Sequence, residues 1–381
     1  MKITSTIVTK KPRFDYVLFF ATILLVAVGI VLVYSASFYS AEITYGSKMF
    51  FAKKQVVGAA VGLVGLLVMS FVKYDHLKKI RYVALGVSAV LLGLVFLPKI
   101  GVTNYGATRW INLGFITIQP SEIAKFGFVI FSAGYLAKNY EKVKSFVGIL
   151  PVLLAGGIMC LLIILEPNMS ITICMALTMM VMLVVGGARL KHFLIIIVPM
   201  IAAAVVLVLV APYRMRRLMA FINPWQSAQS EGFQLVQSLY AVGSGGWFGV
   251  GLFNSRQKYL FLPFAESDFI FSIFAEECGF VGCVLLLLVY LVVIYRGLKI
   301  AREAKDRFGC YLATGITAII AIQVLMNVAV VTGSIPPTGL PLPFISAGST
   351  SLVVFMSAVG VLQNIRRESI KFNQNIIGMA T

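Results

Sequence analysis

The stretch YVLFFATILLVAVGIVLVY, residues 16–34, contains no charged side chain and is almost wholly apolar. An α-helix needs roughly 20 apolar residues to cross a bilayer, so this stretch is long enough to span a membrane. Lys10, Lys11 and Arg13 precede it, as in a signal peptide, and the small residues 35–37 resemble a cleavage site. The apolar stretch is longer than the core of a signal peptide, and we therefore predict a retained first membrane span.

The composition of the whole chain extends this prediction. Of the 381 residues, 60% are hydrophobic and 12% are charged, whereas a soluble domain carries roughly 25% charged residues. Similar apolar stretches recur to the end of the chain, which predicts an all-α, polytopic membrane protein forming one domain over residues 1–381. The predicted spans lie near residues 14–36, 55–72, 82–98, 120–137, 146–165, 169–187, 193–211, 268–295, 309–332 and 346–364.

The distribution of positive charge predicts the orientation. A net charge of +18 can indicate nucleic-acid binding, but the Lys and Arg residues lie in short clusters between apolar stretches, so we expect no nucleic-acid partner. One set of alternate connections, which includes both chain ends, holds 21 Lys and Arg, and the opposite set holds 10. Because positive residues are retained on the cytoplasmic side, we predict about ten crossings with both termini in the cytoplasm.

One outer connection is unusually long and basic. Residues 212–267 separate the seventh and eighth predicted spans, and connections of this length are usually functional. Its cations are Arg214, Arg216, Arg217, Arg256 and Lys258. An alternative interpretation is a pair of amphipathic helices in the membrane interface, with the basic residues against lipid headgroups. Topology alone leaves both interpretations open.

Asp268 follows this loop and begins the eighth predicted span. The only histidines, His76 and His192, fall in predicted cytoplasmic connections, so an outward-facing general base must be a carboxylate. Asp268 can simply cap the helix. Asp268 would also suit a general base, because its apolar neighbours can shift the pKa of its carboxyl group. The cations of the preceding loop would then be available to stabilise a phosphorylated leaving group.

Two pairs of ionisable residues lie deeper within predicted spans. Ionisable groups are costly inside a membrane, so each is expected to be functional or paired. Glu122 and Lys125 lie one helical turn apart, and an ion pair that fixes the helix is as reasonable as a catalytic role. Glu276 and Glu277 are interpreted as paired structural acids.

The glycine-rich residues 243–251 and the five cysteines have less specific patterns. The glycine-rich segment lacks the Gly-Lys-Ser/Thr ending of a phosphate-binding loop, so its glycines are expected to permit close backbone approach or a broken helix. The cysteines lie in or beside apolar stretches without zinc-ligand spacing, and we interpret them as small buried residues.

Eight short motifs, distributed over nearly the whole chain, together resemble one family. They are GATRWI (106–111), QPSE (119–122), NPW (223–225), GFQ (232–234), QS (237–238), SRQK (255–258), SDFIF (267–271) and GLPLPFIS (339–346). This set is similar to the SEDS family (shape, elongation, division and sporulation), and most similar to its FtsW and SpoVE branch. Residues 263–264, 166–168 and 346–351 depart from the usual family pattern, whereas Asp268 is retained.

The resemblance implies a ten-span glycosyltransferase of the bacterial inner membrane that polymerises peptidoglycan from lipid II. It implies a class B penicillin-binding protein as partner, beside the growing glycan strand and other division or elongation proteins. Asp268 would be the catalytic base that deprotonates the acceptor sugar. The predicted substrate-binding residues are Arg109, Trp110, Glu122, Lys125, Arg214, Gln234, Arg256, Lys258 and Ser346.

The motifs specify no cofactor, although oxygen ligands such as the Asp268 carboxylate suit Mg²⁺ or Mn²⁺ bridging to a diphosphate. Two alternative functions remain from the sequence. One is a lipid II flippase, which would place essential charges near the middle of the membrane, commonly within an internal repeat. The other is a non-catalytic scaffold for division proteins, which would tolerate the loss of Asp268.

Overall fold

The computed structural model describes residues 14–98, 100–104, 107–112, 117–210 and 212–380. These residues are mostly helical. The helices are α1 (Tyr16–Tyr45), α2 (Phe50–Phe71), α3 (Asp75–Lys79), α4 (Arg81–Leu94), α5 (Pro120–Lys138), α6 (Phe146–Leu165), α7 (Met169–Val185), α8 (Leu190–Val210), α9 (Pro212–Ile222), α10 (Phe233–Ser244), α11 (Ile270–Arg302), α12 (Arg307–Val331) and α13 (Ser349–Ala380), with a short 3₁₀ turn at Lys142–Lys144.

Each of the ten predicted spans overlaps one helix, namely α1, α2, α4 to α8 and α11 to α13. Among the described residues, five helices are long and apolar enough to cross a membrane: α1, α2, α6, α11 and α12. Shorter apolar helices are Arg81–Leu94, Met169–Val185 and Leu190–Pro199. The chain is therefore an integral membrane protein, while the number of ten crossings stays a prediction.

A small antiparallel sheet forms in the outer segment between α4 and α5, where the sequence predicts no strand. Its strands are β1 (Gly101–Asn104), β2 (Ala107–Asn112) and β3 (Thr117–Ile118), in the order β1-β2-β3. Ile111 pairs with both Gly101 and Ile118 across the sheet. Strands this short have too few residues for a clear alternation of apolar and polar side chains, so their pattern does not stand out in the sequence.

Helix α12 lies at the centre of the bundle. It packs against α5, α7, α10, α11 and α13, and 72% of the residues in its most apolar 18-residue stretch are buried. Burial on all sides explains why its sequence is apolar around the whole helix rather than along one stripe. Polar side chains on α12 therefore face protein and need partners there.

The bundle has two distinct ends. At one end, the carboxylate of Asp15, just before α1, forms ion pairs with Arg296 near the end of α11 and with Arg366 in α13, the latter at 3.1 Å. Asp268 lies at the other end of α11. The start of α1 and the second half of α13 thus lie at one end of the bundle, opposite Asp268. Which side of the membrane each end faces stays a prediction.

Helix α11 is broken at Gly279, where φ is 67° and ψ is −170°. The glycine-rich segment fits against this break, and the amides of Val250 and Gly251 donate to the carbonyls of Glu276 and Glu277 at 3.0 and 3.1 Å. Gly249, at φ 80°, lies so close to the Glu277 carbonyl that a Cβ atom would overlap it. The predicted close backbone approach is therefore confirmed for Gly249, whereas the break in a helix lies at Gly279, outside the glycine-rich segment.

The long connection 212–267 contains α9 and α10 followed by turns. Helix α10 packs against α11 and α12, and its Ser238 hydroxyl bonds to the Ser272 hydroxyl and the Val331 carbonyl, both at 2.8 Å. Ser238 is completely buried. Tertiary contacts therefore hold α10 against the helix bundle, whereas its depth relative to the membrane stays a prediction. Helix α9 contacts α8.

Candidate active site

Asp268 lies in the turn just before α11 and is half-buried. The N-cap position of that helix belongs to Phe269, so Asp268 is not its N-cap residue. Its carboxylate lies against Gly339, where a Cβ atom on the glycine would be 2.7 Å from Oδ2. Gly339 has a positive φ of 64°, which also favours glycine. The backbone at Gly339 thus forms one wall beside the carboxylate.

The GLPLPFIS segment (339–346) packs onto the residues around Asp268. Ser346 donates its hydroxyl to the Ser267 carbonyl at 2.5 Å and accepts from the Leu342 amide at 2.7 Å. Next to it, the amide of Ala347 donates to the carbonyl of Glu266 at 2.9 Å. Ser346 is only 6% exposed. The predicted substrate-binding residue Ser346 therefore joins two loop segments, and its hydroxyl is already engaged with both.

Glu266 is a second acidic residue, two positions before Asp268 in the sequence. It is half-buried, and this burial raises the pKa of its side chain. Gln234, at the start of α10, donates to the carbonyl of Pro263 at 3.1 Å and so holds the preceding turn. The predicted substrate-binding residue Gln234 thereby supports the loop that leads into Asp268.

Glu122 and Lys125 form a buried ion pair at 3.0 Å, with both side chains fully inaccessible. Lys125 also donates to Gln323 on α12 at 2.6 Å, and Glu122 accepts from Ser351 on α13 at 3.0 Å. Gln323 in turn donates to the carbonyl of Pro341 at 2.8 Å. The pair therefore links three helices beneath the 339–346 segment, which favours the ion-pair interpretation over direct substrate contact.

Lys258 forms a second buried ion pair, with Glu277 at 3.0 Å, and both side chains are fully inaccessible. The hydroxyl of Ser35 on α1 donates to the same carboxylate at 2.6 Å. The neighbouring Glu276 accepts the Ser255 hydroxyl and the Arg256 amide, the latter at 2.9 Å. The two acids thus fix the SRQK segment to the broken part of α11, and the ammonium of Lys258 is directed into the protein rather than toward a substrate.

The other predicted cations have different environments. Arg256 is exposed. Arg109 and Trp110 are half-buried on β2, and the Arg109 guanidinium donates to the carbonyls of Glu166 and Pro167 at 3.4 and 2.5 Å. The side chain of Arg214 lies outside the described residues, although its backbone belongs to α9.

Glu166 has an unusual environment for a carboxylate. It lies between α6 and α7, is only 1% exposed, and neither carboxyl oxygen has a hydrogen-bond partner within the described part of the chain. Burial raises its pKa to about 8, and the positive charge of Arg109 opposes the shift. The folded protein thus favours the protonated carboxyl.

Glu166→Gln is therefore expected to remove a pH dependence of stability. The ordinary carboxyl pKa is 4.5, so as pH rises toward about 8 the unfolded chain loses this proton while the folded chain holds it, and stability falls. The stability of the variant minus that of wild type should therefore be larger at about pH 9 than at about pH 5. Thermal unfolding of the detergent-solubilised proteins at both pH values measures this.

Glu141→Gln provides the matched control, because Glu141 is exposed to solvent and pairs with Lys144 at 3.4 Å. Its pKa is lowered, and the hydrogen bond from Tyr140 is the largest cause. The replacement should therefore bring no gain in thermal stability at high pH. The same pH dependence in wild type and Glu166→Gln would contradict a raised pKa of Glu166.

Several residues that support the site at this end of the bundle were not predicted from the sequence. Asn327 on α12 donates to the carbonyls of Asp268 and Leu340 at 2.9 and 2.7 Å, and Gln55 on α2 donates to the carbonyl of Ser346 at 3.1 Å. Gln323 and Asn327 are buried polar residues four positions apart in an apolar span. That spacing places them on one helix face, and it was the feature of the sequence that could have identified them as supports of the site.

Comparisons with known proteins agree on one family. The model of the FtsW/RodA/SpoVE cell cycle proteins matches residues 15–371. Stage V sporulation protein E of Bacillus subtilis is 41% identical over 95% of this chain and 99% of its own length. The probable peptidoglycan glycosyltransferase FtsW of Saccharophagus degradans is 39% identical over 95% of each chain.

Solved structures give the same result. A chain from a study of how a peptidoglycan synthase complex coordinates polymerization and crosslinking superposes with a TM-score of 0.78, at 26% identity over 93% of this chain and 98% of the other. The rod shape determining protein RodA of Thermus thermophilus gives a TM-score of 0.68, at 25% identity over 93% and 97%. The SEDS resemblance of the motifs is thus confirmed, and the chain belongs to the FtsW/RodA/SpoVE family of cell cycle proteins.

Proposed function

We propose that this membrane protein is a peptidoglycan glycosyltransferase that joins lipid II units into glycan strands at the outer face of the bacterial cytoplasmic membrane. Relatives that are 37% and 39% identical over most of the chain are named probable peptidoglycan glycosyltransferases. In this proposal the chain crosses the membrane ten times, with both ends in the cytoplasm, and the end of the bundle that carries Asp268 faces outward.

The placement of Asp268 is the observation that carries this proposal. Its half-buried carboxylate lies where the long basic connection ends, and the 339–346 segment packs beside it. Partial burial keeps a carboxylate accessible to substrate while reducing its solvation, and both properties suit a general base. The predicted acids deeper in the bundle, Glu122 and Glu277, are already paired with lysines.

The reaction needs one base and one leaving group. The Asp268 carboxylate accepts the proton of the 4-hydroxyl on the acceptor GlcNAc, and that oxygen forms a bond to the anomeric carbon of the lipid-linked MurNAc. The bond from this carbon to the diphosphate oxygen breaks, and undecaprenyl diphosphate leaves with the electron pair. A single displacement inverts the anomeric carbon. Two substrates with lipid tails reach the site sideways through the bilayer.

Positive charge is needed where the diphosphate departs. Arg256 is exposed on the loop that leads to Asp268, and the half-buried Arg109 lies on β2. Arginine presents several donors to a phosphate group at once, which suits diphosphate recognition. These two side chains are the proposed diphosphate contacts, and the half-buried Trp110 is proposed to help shape the substrate cavity.

A divalent cation is a further part of the proposal. Within the described residues no group of three or more His, Cys, Asp or Glu side chains forms a protein-only metal cage. Mg²⁺ is often held by one or two carboxylates together with substrate phosphates, and a site made by Asp268 and the diphosphate fits that donor set. When bound there, the ion would neutralise charge on the leaving group.

A class B penicillin-binding protein is the proposed partner, supplying the transpeptidase activity that crosslinks the new strands. This proposal is supported by the fold shared with a chain from a peptidoglycan synthase complex. Other division or elongation proteins would direct the pair to its place in the cell.

Reconstitution tests the proposed function. Purified protein in lipid vesicles, with a class B penicillin-binding protein, should convert lipid II into glycan strands that a gel separates by length. In parallel, a fluorescent lipid II analogue and a membrane-impermeant quencher measure movement across the bilayer. Movement without polymer would favour a flippase, and neither activity would favour a scaffold. Either result would contradict the proposed glycosyltransferase.

A further inference from the structure

Asn327 on the central helix α12 contacts the main chain on both sides of the proposed base. Its amide nitrogen donates to the carbonyl of Asp268 at 2.9 Å and to the carbonyl of Leu340 at 2.7 Å. The residue is only 1% exposed. Both hydrogens of one amide group therefore join two loop segments that are far apart in sequence.

We infer that Asn327 is a positioning residue that fixes the Asp268 carboxylate against the wall formed by Gly339. This inference rests on the proposed function, because it assigns the residue to the same reaction. Asn327 holds the main chain from which the carboxylate projects, and it also holds Leu340, the neighbour of Gly339. The two surfaces that meet at the carboxylate are thus fixed to a common support.

The support is rigid because α12 is buried at the centre of the bundle. One turn earlier on the same helix face, Gln323 donates to the carbonyl of Pro341 at 2.8 Å, so α12 holds two consecutive carbonyls of the 339–346 segment. Lys125 fixes Gln323 from α5 at 2.6 Å. Side chains locked in this way on a helix position a functional group more accurately than a free loop does.

The chemistry at Asn327 also identifies the group that is needed there. Both neighbours are carbonyl oxygens, which accept hydrogen bonds, so only the donor end of the amide can face them. The amide oxygen, at the other end, is buried without a hydrogen-bond partner among the described residues. An unsatisfied buried carbonyl costs stability. Residues kept at such a cost are expected at functional sites.

Two substitutions test this inference in the full-length protein. Asn327→Asp keeps the shape but replaces the donor group by an oxygen, and Asn327→Leu keeps a similar volume without either donor. Because a shift of about 1 Å in a catalytic group can cost about 100-fold in rate, kcat for lipid II polymerisation should fall roughly 10- to 100-fold. KM should stay within about two-fold, since Asn327 reaches Asp268 only through its main chain and contacts neither Arg109 nor Arg256, the proposed diphosphate contacts.

Asn364→Leu is the matched control. Asn364 is also 1% exposed, and its amide joins α13 to residues 70–74 at the opposite end of the bundle, through the carbonyl of Ser70 at 3.0 Å and the amide of Tyr74 at 2.9 Å. Its loss should lower thermal stability about as much as Asn327→Leu, while kcat per folded molecule stays close to that of wild type. An equal fall in kcat for both variants, or a rise in KM alone for Asn327→Leu, would overturn the positioning role.

Hydrogen–deuterium exchange separates failure of this inference from failure of the proposed function. Asn327→Leu should accelerate exchange in peptides covering residues 262–272 and 339–347, whereas Asn364→Leu should do so around residues 70–77. This readout needs no polymerase activity. Unchanged exchange around Asp268 in Asn327→Leu would overturn the inference even if wild type makes polymer. Accelerated exchange would support the positioning of Asp268 even if wild type makes none.

Discussion

Asp268→Asn is expected to lower the rate of lipid II polymerisation by about 10²- to 10⁴-fold, the usual contribution of a general base. The amide has nearly the shape of the carboxylate, so the turn before α11 should be preserved. It cannot take up the proton of the acceptor hydroxyl at neutral pH. Initial rates of polymer formation by equal amounts of folded wild type and variant measure the effect.

Asp75→Asn is the control for this replacement. Asp75 lies at the opposite end of the bundle and pairs with Lys305 at 3.1 Å, with 43% of its side chain exposed. Its polymerisation rate should equal that of wild type. Asp268→Glu adds a second check, because the longer side chain would meet the wall at Gly339, and activity should fall despite the retained charge. Wild-type rates in Asp268→Asn would show that the base is elsewhere.

Lys258→Met is expected to destabilise the protein by about 3–5 kcal/mol, because it leaves the carboxylate of Glu277 buried without its ion-pair partner. The double variant Lys258→Met/Glu277→Gln removes both charges and should recover most of the lost stability. The free energy of unfolding, measured by titrating the detergent-solubilised protein with sodium dodecyl sulfate, gives both values.

Lys48→Met provides the comparison for an exposed lysine. Lys48 pairs with Glu42 at 3.4 Å, and both side chains are about half exposed. Exposed pairs contribute roughly 0–1 kcal/mol, so this variant should unfold almost like wild type. If Lys258→Met kept full stability but raised KM for lipid II, its ammonium would contact the substrate, as the sequence predicted, and the buried pair would be incidental.

Asp268 and Lys258 show how much of the site can be predicted from the sequence. Asp268 was identified because it follows a long basic connection and lies in a family motif. Lys258 was predicted from the same connection as a substrate contact, because a sequence gives the charge of a residue but not the direction of its side chain. Its partners, Glu277 and Ser35, are respectively 19 and 223 positions away.

The contacts of Asn327 and Gly339 with Asp268 were missed for a similar reason. A buried polar residue in a membrane span is a recognised signal, but the sequence does not say which of many loop carbonyls it binds. Asn327 and Asp268 are separated by 59 positions, and only the packing of α12 against α11 brings them together. Gly339 is the first residue of the 339–346 motif, but only the structure shows that the Asp268 carboxylate lies beside it.

The sequence by itself determined where the ten helices that overlap the predicted spans lie, that the protein belongs in a membrane, and which family it joins. These properties follow from uninterrupted apolar stretches and from local motifs, which the chain carries whatever its packing. The tertiary structure alone decided which charges are buried in pairs, that α10 packs against the helix bundle, and that Asn327 and Gly339 flank Asp268. Such contacts depend on how distant segments pack, and no local pattern encodes that packing.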